Sequence, residues 1–173
     1  MISFLRAGMA KILTGVAFAV AIGSGACGPY SFSPGGASNF KTVAVPLFED
    51  RTSEFGVKEQ LTDAIIAQFT RDNTLKIADR RVAESALVGT LLKVEERAGA
   101  FTREESVQEI RVYVTVDLKY EDIKKRRAIW EEQMTQFGAY TPGGTGASDR
   151  NTAIKDAIDK IAQQVLNKTV AGW

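Results

Sequence analysis

The sequence predicts an α+β domain: a two-layer sandwich with two amphipathic helices packed on one face of a roughly four-stranded, largely antiparallel sheet, in the order β-α-β-β-β-α. Three observations carry this. From Val107 to Glu121, Ile110, Val112, Val114, Val116, Leu118 and Tyr120 alternate with Arg111, Tyr113, Thr115, Asp117 and Lys119, the period of a strand with one buried face. Two other stretches, about 53–71 and about 149–171, repeat apolar residues every three to four positions instead, which is the period of a helix. The strand-rich middle lies between them, and helices flanking a run of strands suit an α+β layering.

Taken in order, Phe40 to Phe48, "FKTVAVPLF", is rich in β-branched and aromatic residues and reads as the first strand. Pro46 has no N–H to give a ladder, so it implies an edge position or a strand end. Val57, Leu61, Ile65 and Phe69 then form the stripe of a helix from about Ser53 to Arg71, with Lys58, Glu59, Asp63 and Arg71 facing away. "RDNT" stops it, and "LKIADRR" is a short extended piece leading to a second strand, Ala86 to Glu96. The alternating segment is the third strand. "EDIKKRRA" is polar enough for a hairpin turn, and Ile129 to Phe137 returns as the fourth strand, followed by the loop "GAYTPGGTGAS". The last helix carries Ile154, Ala157, Ile158, Ile161, Val165 and Leu166 on one stripe. Ser148 or Asp149 is its N-cap and Gly172 lies past its end. Trp130, Phe137 and Phe69 are assigned to the core.

The first residues follow another logic. Arg6 and Lys11 precede an apolar run, Ile12 to Gly23, which ends in the small residues Ser24, Gly25 and Ala26, the layout of a secretory signal. The run is shorter than the about 20 residues of a membrane span. Cys27, the sole cysteine, follows at once, and the junction resembles the lipobox of bacterial lipoproteins, in which the thiol is acylated. Ordinary cleavage that leaves a free thiol is the other reading. The organisation is then residues 1–26 as lipoprotein signal peptide, 27–39 as lipidated cysteine and Gly/Ser/Pro-rich tether, and 40–173 as one domain, an allotment that suits a chain of 173 residues.

Composition narrows function. With 22 Lys and Arg against 21 Asp and Glu there is no global basic field to draw the chain onto nucleic acid. Without histidine the chain lacks the commonest metal ligand and the commonest general base. "PGGTG" at Pro142 to Gly146 lacks the Gly-Lys-Ser/Thr of a phosphate loop. The acids Glu49, Asp50, Glu104 and Glu105 lie in polar segments, where burial would not tune them for acid–base work. No enzyme, metal or cofactor is expected.

Several stretches resemble a known family. "CGPYSF" from Cys27, "KTVAVPLFEDRTSEFGVKEQLTDAIIAQF" from Lys41 to Phe69, "LKIADRRVAESALVGTLLKVEE", Trp130-Glu131 and the terminal Gly172-Trp173 are similar, in order and spacing, to the LptE family of lipopolysaccharide-assembly lipoproteins. That resemblance implies a lipid-anchored protein on the periplasmic side of the outer membrane. It would bind and plug the LptD β-barrel and assist lipopolysaccharide transport and assembly, with an acyl chain such as palmitate on Cys27. "VAVPLFEDRT" followed by a helix and "ADRR" also resembles periplasmic lipoprotein domains of the LpoB and CsgG type, which bind a peptidoglycan synthase or a secretion partner.

Two surfaces are candidates for contact. Lys124, Lys125, Arg126 and Arg127 put four cations at a hairpin tip in an otherwise near-neutral chain. Ammonium and guanidinium groups bind phosphate by charge-assisted hydrogen bonds, so lipopolysaccharide phosphates or membrane headgroups are expected ligands. Arg97 and Arg103 flank the loop between the second and third strands and would join only if the sheet brought the loops together, whereas in a meander the two tips lie at opposite ends of the third strand. The second surface is the polar face of that strand, with Arg111, Tyr113, Thr115 and Lys119 as partner-facing residues. A barrel lumen is polar, and a plug must match it; an ordinary solvated sheet face is the alternative.

Overall fold

The computed structural model describes residues 40–101, 107–142 and 149–171, all within one compact unit, Ala37–Trp173. The expected signal peptide, Cys27 and the tether lie outside the described residues. So do Arg103, Glu104, Glu105, Ser148 and Gly172. The elements are β1 (Thr42–Ala44), β2 (Glu49–Asp50), α1 (Val57–Asp72), β3 (Lys76–Ile77), β4 (Ser85–Phe101), β5 (Val107–Asp122), β6 (Arg127–Tyr140) and α2 (Arg150–Ala171).

The class is α+β as expected, but the sheet is mixed and has six strands among the described residues rather than four. Strands β4, β5 and β6 form the antiparallel meander, with Leu87 opposite Tyr120 and Val116 opposite Met134. On the other side of β4 the pairing is parallel: β1 lies between β3 and β4, and β2 pairs β4 through Glu49↔Thr90. Two physical causes account for the difference. A helix between neighbouring strands carries the chain back to its starting end, so β1-α1-β3 pairs parallel. Pro46 has no N–H for a ladder, so the expected first strand ends at Ala44 and meets β4 again only at Glu49.

Helix α1 begins at Val57, four residues later than Ser53. The Asp50 carboxylate accepts from the Thr52 N–H at 2.7 Å and its hydroxyl at 2.8 Å, which holds a turn, and Gly56 enters the helix at φ 77°, a conformation that favours glycine. The helix ends as the Asn73 N–H, in left-handed conformation, donates to the Phe69 carbonyl at 2.9 Å. For α2 the expected cap is present: Asp149 Oδ1 accepts from the Thr152 N–H at 2.8 Å.

Both helices share one core with the even-numbered face of β5. Leu61, Ile65 and Phe69 of α1 and Ile158, Ile161 and Val165 of α2 are buried with Leu87, Leu91, Val112, Val114, Val116 and Leu118. The close approach of α2 to β6 requires glycine: a Cβ on Gly138 of β6 would stand 2.0 Å from the Ala153 carbonyl oxygen of α2. At the hairpin end Tyr120 is buried beside Trp130, with ring centroids 5.9 Å apart, and beside Phe40, at 6.1 Å edge-on. Its hydroxyl donates to Ser85 Oγ at 2.9 Å, which donates to the Thr42 carbonyl at 2.9 Å. Burial pushes the Tyr120 phenol up to about 12, against a smaller downward pull from Ser85.

A raised phenol pKa means that the fold favours the neutral form. The contribution is therefore complete below the unfolded value near 10 and is lost as pH climbs toward 12. The expected result is a melting temperature that falls across that window in the native chain and falls less steeply in Tyr120→Phe. Circular-dichroism melts from pH 9 to 12 check it; parallel curves for the two chains would refute the assignment.

Candidate interaction surface

The odd-numbered residues of β5 face away from both helices, so among the described residues no helix covers that sheet face. Arg111, Tyr113, Thr115 and Lys119 all lie on it in a row, as the alternation requires. Neighbouring strands extend the row sideways. Thr115 lies between Lys93 and Thr135, whose hydroxyl is 3.0 Å from its own. Tyr113 lies between Glu95 and Phe137, and Arg111 between Arg97 and Ala139.

Aromatic and guanidinium groups alternate over this surface. Arg97 Cζ is 4.8 Å from the Tyr113 ring centroid, Tyr113 and Phe137 are 5.4 Å apart, and Arg111 Cζ is 5.0 Å from the Phe137 centroid, within the range of cation–π attraction. Carboxylates hold the cations in place. Glu95 pairs with Lys93 and Arg97, which lower its pKa, Lys93 more than Arg97. Glu109 Oε1 accepts from Arg111 Nε at 2.7 Å and raises the guanidinium pKa, with a smaller contribution from Tyr113. The stack is thus held ready for contact, with less side-chain entropy left to lose on docking.

Phe137 is a correction to the core assignment. It pairs with Tyr113, so its ring stands on the outer face, half-buried, with Lys160 Nζ 5.1 Å from its centroid. Phe69 of α1 is buried in the core, and Trp130 packs against it from β6. Sequence reasoning also missed a cleft of about 400 Å³ on the outer face. Pro46, Leu47, Glu49, Asp117, Lys119 and Glu131 line it. Its sequence signal was Leu47, a large apolar residue beside a strand-ending proline; it is 58% exposed.

Of the expected phosphate-binding set, Lys124, Lys125, Arg126 and Arg127 form the β5–β6 hairpin tip, with Arg126 at φ 51°. Arg97 is not among them. It pairs with Arg111 near the far end of β5, eleven residues from Asp122 and so roughly 36 Å along the strand. At that far end Arg150 of α2 is held by Glu54, at 2.7 Å, and by Glu96 of β4, which also accepts from the Tyr140 hydroxyl at 3.1 Å. Asp50 is occupied by its turn with Thr52. Among the described residues no group of His, Cys, Asp and Glu has the arrangement of a metal site.

Two helices on one face of a mixed sheet make a fold shared with several solved structures. One is a hypothetical protein of Chlamydia trachomatis, 9% identical with TM-score 0.57, the match covering 74% of this chain and 94% of that one. A Xanthomonas campestris protein matches at 11% identity and TM-score 0.58, over 76% and 84%. A minor lipoprotein of Acinetobacter baumannii matches at 17% identity and TM-score 0.51, over 76% and 93%. No curated protein sequence matches the chain. The family model described as LptE, lipopolysaccharide assembly, matches residues 40–169. The chain belongs to the LptE family.

Proposed function

We propose that this chain is an outer-membrane lipoprotein, held by lipid on Cys27 at the periplasmic side, that binds and plugs an LptD-type β-barrel and assists lipopolysaccharide transport and assembly without catalysis. The observation that carries the docking mode is the outer sheet face. It is polar, carries an ordered aromatic and guanidinium stack, and lies opposite the helices. From Arg111 to Lys119 its row covers nine residues, whose eight steps span roughly 26 Å. That length is close to the apolar band of a transmembrane barrel, about 25 Å tall, whose interior is polar. Tyr and Arg are also the residue types that concentrate binding energy in interfaces. The family match over residues 40–169 favours this partner over a peptidoglycan synthase or a secretion complex.

Affinity purification from outer membranes in gentle detergent tests the reading. A large β-barrel protein is expected to co-purify in stoichiometric amount, and recovery of this chain alone contradicts it. Mass spectrometry of the same sample is expected to find an acylated N-terminal Cys27 and no residues 1–26.

A further inference from the structure

We infer that the hairpin end of the domain is a membrane-facing surface that rests on the anionic phospholipid headgroups of the leaflet holding the anchor. The inference rests on the lipid proposed for Cys27. Three observations converge on this end. Among the described residues Lys124, Arg126 and Arg127 have no carboxylate partner, and Lys125 is only loosely paired, its Nζ 3.8 Å from Asp122. The acids nearby are already engaged: Glu121 with Arg80 and Lys119, Asp79 with Arg81, and Glu84 with the Lys41 N–H. The tip therefore presents uncompensated positive charge.

The second observation is apolar. The β3–β4 connection packs beside the tip, since Ile123 joins Ala78, Ala83 and Ala86 in a small cluster and its N–H donates to the Glu84 carbonyl at 3.1 Å. That connection exposes Val82, at 73%, next to Arg81, while Ile129 at the start of β6 is 43% exposed. Exposed aliphatic groups among cations suit an interface where the charges meet phosphates and the side chains enter the headgroup region.

The third observation is where the chain enters. Phe40 packs on Tyr120, and the Lys41 N–H bonds Glu84, so the polypeptide joins the described domain at this same end. Cys27 precedes Phe40 by thirteen residues, and a lipid there tethers the domain by the end that carries the cations. An acyl anchor beside a polybasic patch is a two-signal membrane attachment. Its second signal would fix orientation, with the hairpin on the membrane surface and the Arg150–Glu54–Glu96 end directed away.

A fluorophore experiment on the full acylated chain tests this. Lys124→Cys, Phe55→Cys and Gln163→Cys each add one thiol, which labels alone because acylation blocks Cys27; two labels per chain would report failure of the lipid reading and not of the surface. Each labelled protein is reconstituted in phosphatidylethanolamine vesicles with or without phosphatidylglycerol and with a headgroup spin label as quencher. Quenching at position 124 is expected to be several-fold stronger than at 55 or 163, to need phosphatidylglycerol, and to weaken at high salt or on adding Lys125→Glu and Arg127→Glu. Equal quenching at 124 and 55 in phosphatidylglycerol vesicles overturns the inference. Quenching at 124 that appears only when lipopolysaccharide is included also overturns it, and assigns the tip to lipopolysaccharide phosphates.

Discussion

Gly138→Ala is expected to destabilise the domain by about 3 kcal/mol, the upper range for overpacking. At this chain length that corresponds to a fall of roughly 6–12 °C in melting temperature. The new methyl carbon would stand 2.0 Å from the Ala153 carbonyl oxygen and 2.7 Å from its carbonyl carbon. Both are backbone atoms of α2, so no rotamer change relieves the clash and the helix must lift from β6. Gly89→Ala is the control. Its Cβ would meet the Phe48 ring at 2.5 Å, but a ring can shift, and a loss of about 1 kcal/mol is expected. Thermal melts of the two variants check the order; equal losses would mean that α2 does not approach β6 as closely as described.

Tyr113→Ser is expected to weaken binding to the barrel partner by about 2 kcal/mol, the size of an interface hot spot, or roughly thirtyfold in Kd. The fold should be unaffected, because Tyr113 faces away from the core. The ring lies between Arg97 and Phe137, so its removal also frees the Arg97 guanidinium from its aromatic support. Affinity for the purified barrel, measured beside an unchanged melting temperature, tests this. A large loss of stability would instead place Tyr113 among the structural residues.

How far the sequence could be read depended on the length and regularity of each element. The alternation of β5 and the stripes of α1 and α2 are long, and each assigned its buried side chains to the core, from Val112 to Leu118 and from Leu61 to Phe69. Strands of two or three residues carry no periodicity, so β3 read only as an extended piece and the break at Pro46 read as a single strand. Parallel pairing on β4 follows from the helix crossover, which strand composition does not express. On β6, "IWEEQMTQF" lacks clean alternation because Glu132 and Gln136 face inward to meet Lys168 and Gln164 of α2. Polar residues on the inner face concealed its parity. Counting in twos from Trp130 places Phe137 on the outer face, and that signal was present in the sequence.

The tip and the outer face differed in a similar way. Four consecutive cations are visible in any reading, but their distance from Arg97 is a property of the meander. The cation–π stack needs the register of three strands at once, with Arg97 beside Arg111 and Tyr113 beside Phe137, and no local pattern contains it.

In the proposed complex the outer sheet face docks a β-barrel. Site-specific photo-crosslinking in living cells, with a photoreactive amino acid at Thr115 or at Gln163, addresses it most directly. Thr115 lies at the middle of the outer row, and Gln163 is exposed on α2. The expected result is an adduct between position 115 and a large outer-membrane β-barrel protein, with no such adduct from position 163. A barrel adduct from position 163 and none from position 115 would contradict the claim and move the docking surface to the helices.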